Sequence, residues 1–165
     1  MNSYERLQEE ACKDGVDVID YHFDSPRLRG LYCDGTVAIR KDMTTAEKSC
    51  VLAEELGHHY TTVGDILDQT NVSNRKQERL ARVWAYNRRI GLTGIIQGYR
   101  AHCRSCYELA EYLDVSEDFL REALDCYREK YGVYTELDGY VIYFEPCLIV
   151  MEISPCVPFR KEYVI

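Results

Sequence analysis

The sequence predicts an α+β protein. Six segments carry apolar residues at helical spacing, the Asp34-Gly35 pair sits between two strand-like runs, and 139–144 returns to strand character after the last helix. Helices repeat their apolar residues at i, i+3 and i+4 and strands at i and i+2, so the two periods separate the elements. At 165 residues the chain is long enough for one domain with a sizeable core. The expected domain covers 1–145: a sheet and a helix pair over about 1–90, a helical subdomain over about 91–131, and a strand at 139–145. An apolar C-terminal tail follows over 146–165.

Taken in order, a short amphipathic helix is expected at Tyr4–Lys13, ending near Gly15, a residue type that commonly closes helices. Val16–Tyr21 follows with strand character. Residues 28–41 read as a β-hairpin, because Asp-Gly favours a two-residue turn and Val37-Ala38-Ile39 continues the return strand. A helix over about 44–60 opens on Thr44, with Glu47 three residues on to complete a reciprocal cap. Cys50, Val51, Leu52 and Leu56 fit its buried side. The next helix, about 74–88, opens on Asn74, which pairs with Gln77 in a second cap. Further helices are expected at 93–101, 105–113 and 116–130, the last capped by Ser116. The tail contains Pro146, Pro155 and Pro158, which make a long helix there unfavourable and leave a final strand or an exposed apolar end.

The stretch Leu52-Ala53-Glu54-Glu55-Leu56-Gly57-His58-His59 carries the chemistry. In the H-E-x-x-H motif two imidazoles at i and i+4 share one helical face and bind zinc, with a general-base carboxylate between them. Glu55 and His58 occupy the base and second-ligand positions, while Glu54 stands where the first histidine is usual. A carboxylate oxygen is also a zinc ligand. Gly57 in a helix interior costs about 1 kcal/mol against alanine, and close approach of another backbone is a reason for it. In the next helix Glu78, Ala81 and Ala85 share one face at i, i+3 and i+7. The alanines would allow close packing on the first helix and bring Glu78 to the same place. The competing reading is a surface ion pair of Glu78 with Arg82 at i+4, worth about 0.3–0.5 kcal/mol.

Composition narrows the function. The net charge of −8 argues against a chain-wide footprint for nucleic acid. The segment 107–120 mimics a helix-turn-helix, but Glu117, Asp118, Glu122 and Asp125 would face the phosphates, which reward Lys and Arg. A structural subdomain, or a contact for a basic partner protein, suits those helices better. Met1–Glu5 opens no signal peptide, and no uninterrupted run of about 20 apolar residues is present. The expectation is a cytoplasmic protein without a membrane partner, its eight cysteines reduced. Cys50 and Cys126 read as small buried hydrophobes. Cys103 and Cys106 form a single C-x-x-C beside His102, without the second ligand pair of a structural zinc site.

From about Arg29 to Glu145 the chain resembles the ImmA/IrrE family of metallo-endopeptidases, especially short versions carried by phages and mobile elements. The resemblance rests on Gly30-Leu31-Tyr32 with the Asp34-Gly35 turn, on Leu52-Ala53-x-Glu55-Leu56-Gly57-His58-His59, and on Glu78-x-x-Ala81 followed by Trp84-Ala85. It implies a zincin-like core with a small antiparallel sheet, a metal-site helix pair and a C-terminal helical subdomain resembling a helix-turn-helix. It also implies a metal-dependent endopeptidase whose substrate is a cytoplasmic helix-turn-helix repressor of a prophage or mobile element. Carried over by position, Glu55 is the base, His58 a ligand and Glu78 the third ligand.

Glu54 departs from that pattern, and chemistry allows three outcomes. In the first, Glu54, His58 and Glu78 together hold one divalent metal, zinc or, with this harder donor set, manganese or iron. In the second, His59 replaces the missing imidazole, although adjacent helical residues point about 100° apart. Or the site holds no metal, and the protein binds its former substrate as a regulatory module. The first outcome is the expectation, with an extended substrate adding to the strand near Val37–Arg40 if its edge is free.

Overall fold

Local chemistry sets the first elements. Asn2 accepts the N–H of Glu5 while the Glu5 carboxylate accepts that of Asn2, and this capping box starts α1 (Ser3–Lys13). Gly15, at positive φ, turns the chain into β1 (Asp17–Tyr21). β2 (Gly30–Cys33) and β3 (Thr36–Arg40) meet at Asp34-Gly35, both at positive φ as the tight hairpin requires. The computed structural model describes residues 1–61 and 72–153. Within them α2 (Thr45–Thr61), α3 (Val72–Arg89), α4 (Gly91–Arg100), α5 (Cys106–Leu113) and α6 (Glu117–Tyr131) follow, then β4 (Tyr134–Leu137), β5 (Tyr140–Tyr143) and β6 (Ile149–Glu152).

The α+β class holds, with two three-stranded sheets. The first has the order β1-β3-β2, with β1 parallel and β2 antiparallel to β3. It is therefore mixed rather than antiparallel. The loop after β1 crosses to the far side of β3, and Arg40 fastens it through the carbonyls of Ser25 and Leu28. The expected free edge at Val37–Arg40 is consequently wrong: β3 is the central strand, and β2 is an outer one. Val37 and Ile39 are fully buried against the helices, which the period of two anticipates.

Thr44 caps α2 as expected, its hydroxyl accepting the Glu47 N–H while the Glu47 carboxylate accepts the Thr44 N–H. Asn74 is no cap, because α3 already begins at Val72. Ser116 caps α6 by accepting the Phe119 N–H. The second sheet has the order β4-β5-β6, all antiparallel. β4 went unpredicted although Asp138-Gly139, again both at positive φ, repeats the turn signal of the first hairpin. β6 takes up the start of the apolar tail, and 154–165, with Cys156 and Pro158, lie outside the described residues. One buried cluster runs from Tyr4 and Leu7 through Val37, Leu52 and Leu56 to Leu120, Tyr127 and Ile142. Among the described residues no helix is long and apolar enough to cross a membrane.

Candidate metal centre

The site is built where α2 crosses α3, the most extensively packed pair of elements in the molecule. Ala81 and Ala85 are fully buried in that contact. A Cβ on Gly57 would lie 3.1 Å from the Ala81 Cα and closer still to its carbonyl. No side chain fits there. The glycine exists because the α3 backbone touches α2, one turn along from Glu78.

That contact brings two of the expected ligands together. His58 Nε2 lies 3.4 Å from Glu78 Oε2. This is beyond the usual N–H···O range of about 2.7–3.2 Å. Two ligands held about 2.0–2.1 Å from one tetrahedral ion sit roughly 3.3 Å apart, so the spacing suits a shared cation. The other carboxylate oxygen, Glu78 Oε1, accepts from Arg82 Nε at 3.0 Å, so the i, i+4 ion pair and the approach to His58 coexist. Burial holds the His58 imidazole below its ordinary pKa, so the neutral ring offers one lone pair on the Nε2 side that faces Glu78, while Nδ1 is buried without a hydrogen-bond partner.

Glu54, one turn before His58, completes the expected set by position. Burial pushes its pKa up to about 7, opposed by Arg82 and reinforced by Glu122 and Glu78. Among the described residues no three His, Cys, Asp or Glu side chains stand together at metal-holding separation. His58 and Glu78 stand together as a pair, and Glu54 does not join them in a group of three. The same holds for His102, Cys103 and Cys106, which form no such group. His59 is engaged elsewhere: its Nδ1 lies 2.8 Å from the Tyr32 hydroxyl, and its ring packs edge-on against Tyr32 and Tyr60.

Glu55 points to the sheet. Its Oε2 accepts the backbone N–H of Tyr32 at 3.0 Å. In the β2–β3 ladder Arg29, Leu31 and Cys33 direct their backbone groups at β3, so Gly30 and Tyr32 direct theirs outward. The carboxylate thus sits on the outer edge of β2. Gly30 makes room for it, since a Cβ there would lie 3.0 Å from Glu55 Oε1 and overlap Val51. Burial, then repulsion from Glu54, pushes the Glu55 pKa up to about 7 against the stabilising Tyr32 N–H. A carboxylate near neutrality is matched to general-base work. Sequence reasoning missed the Tyr32 N–H and the β2 edge, because side-chain patterns do not reveal where a backbone donor points.

Beside the site, a cavity of about 400 Å³ opens between α3 and α6, lined by Glu78, Arg79, Arg82, Tyr86, Glu122 and Glu129 among others. Tyr86 donates to Glu122 at 3.0 Å and Arg79 pairs with Glu129 at 2.8 Å across it. Compared with protein-family models, curated proteins and solved structures, the chain matches none.

Proposed function

We propose that this protein is a metal-dependent endopeptidase of the ImmA/IrrE type that cleaves a cytoplasmic helix-turn-helix repressor of a prophage or mobile element. The observation that carries the reading is Glu55: a half-buried carboxylate near neutral pKa, fixed on the open edge of β2 and followed one turn later by the His58–Glu78 pair. His58 and Glu78 would hold a divalent ion, zinc or else manganese or iron, with Glu54 as the third protein ligand. The ion supplies Lewis-acid polarisation of a peptide carbonyl and acidifies water. Glu55 accepts the proton of the attacking water and returns it to the leaving amine. β2, an outer strand of the first sheet, is where an extended substrate would add, through outward backbone groups other than the Tyr32 N–H that Glu55 already holds. The helix-turn-helix substrate and the cytoplasmic setting rest on the family resemblance alone.

Metal loading followed by incubation with a purified helix-turn-helix repressor of a prophage or mobile element tests this. About one divalent ion per chain is expected, together with fragments detectable by mass spectrometry. Glu55→Gln should keep metal and repressor binding and lower the cleavage rate by about 10²–10⁴-fold, because the amide cannot accept a proton. The second reading is a metal-free module that binds the same repressor. It is favoured by one contact, Arg82 on Glu78, which places a positive charge beside the carboxylates. Retention of less than about a tenth of an equivalent after loading would decide for it.

A further inference from the structure

Glu78 is shared. One oxygen faces His58 and the other accepts from Arg82, and the Arg82 charge also acts on Glu54, being the chief influence opposing the rise that burial imposes there. A guanidinium and a divalent ion are thus rivals for the same carboxylates. Arg82 is also positioned to leave. Its side chain is 54% exposed while that of Glu78 is 29% exposed, and it lines the cavity whose opposite wall carries Glu122, Asp125 and Glu129. That wall is acidic, with Glu122 accepting from Tyr86, Asp125 paired with Arg128 and Glu129 with Arg79, and the displaced cation would join those pairs.

We propose that Arg82 is a built-in counter-cation that competes with the metal for Glu78, so that its departure from Glu78 sets the metal affinity of the site. The inference rests on the metal-site reading given above. While Arg82 holds Glu78, the three-ligand set stays open, in keeping with Glu54 standing apart from the His58–Glu78 pair. Two positive charges added by a divalent ion repel a guanidinium a few ångströms away, so ion and Arg82 exclude each other from the carboxylate. Release of Arg82 into the α3–α6 cavity frees the second Glu78 oxygen and lets Glu54 close.

The test is calorimetric titration of the whole chain with Mn²⁺. Manganese prefers carboxylate and imidazole to thiolate, so the eight cysteines do not compete as they would for zinc. Arg82→Gln should bind Mn²⁺ about ten-fold more tightly than wild type or better. Arg82→Lys, which keeps the charge, should stay near wild type. The gain should vanish in the Arg82→Gln/Glu78→Ala double variant, and circular dichroism confirms the fold of each protein. Unchanged or weaker binding in Arg82→Gln, beside a wild type that binds, overturns the competition while leaving the metal site standing. So does equal tightening in Arg82→Lys. Absence of Mn²⁺ and Zn²⁺ binding in both wild type and Arg82→Gln overturns the metal-site reading itself.

Discussion

Glu54 and Glu55 are adjacent in sequence and face different partners, and both are held near neutrality for the same first reason. Burial raises each carboxyl from about 4.5 to about 7, and repulsion adds to it, from Glu122 and Glu78 at Glu54 and from Glu54 at Glu55. A group whose folded pKa is raised contributes stability that is fully present below the unfolded value and lost as pH climbs through the folded one. The metal-free protein should therefore lose stability between about pH 4.5 and about pH 7, on the order of 3 kcal/mol for one such carboxyl. Urea denaturation across that range, with a chelator present, measures it. The Glu54→Gln/Glu55→Gln double variant should show a flatter profile over the same window; an unchanged slope would place the titrating groups elsewhere. Metal ligands must be deprotonated, so ion affinity should rise over the interval in which the metal-free fold weakens.

At the scale of elements, the helix pair α2–α3 decides whether there is a site at all. Gly57→Ala would force a methyl into the Ala81 backbone. Overpacking of this kind costs about 1–3 kcal/mol, here by parting the helices and drawing Glu78 from His58. Thermal melts should show the destabilisation, and metal titration should show weakened binding beyond what the lost stability explains. Much of this pair was legible in advance, because Gly57, Ala81 and Ala85 fall at helical spacing and small residues mark close approach. The cap assigned to Asn74 failed since α3 starts two residues earlier, and a cap signal inside a helical run carries no positional force. β4 stayed hidden because Tyr134-Thr135-Glu136-Leu137 is short and half polar, even though Asp138-Gly139 announced the turn. The edge of the first sheet was illegible for a different reason. Strand order depends on which side of β3 the 22–29 loop crosses, and apolar periodicity is blind to that choice.

Across the whole molecule, one side chain ties the site helices to the helical subdomain. Arg89, the last residue of α3, donates to Ser49 of α2 at 3.1 Å and to the Asp114 carbonyl at the end of α5 at 2.7 Å. Ser49 is fully buried and itself donates to Ala46 at 2.8 Å. Asp114 takes the left-handed conformation that closes α5 and turns the chain toward α6, so Arg89 holds the bend between the two helices. Burial lowers the Arg89 pKa without removing its charge, and Nε remains without a partner, so the two carbonyls and the hydroxyl are what keep the cation in place. Arg89→Met keeps the length of the stem and deletes the donors. The expected loss is about 2–4 kcal/mol, the worth of charged hydrogen bonds reduced by the relief of burying the guanidinium. Hydrogen exchange locates it. Amides of α5 and α6 should lose protection more than those of β1–β3, since the clamp fastens the former and does not touch the latter. A uniform loss across the molecule would mean that Arg89 serves the common core and that the α5–α6 pair is held by Leu109, Phe119 and Leu120 without it.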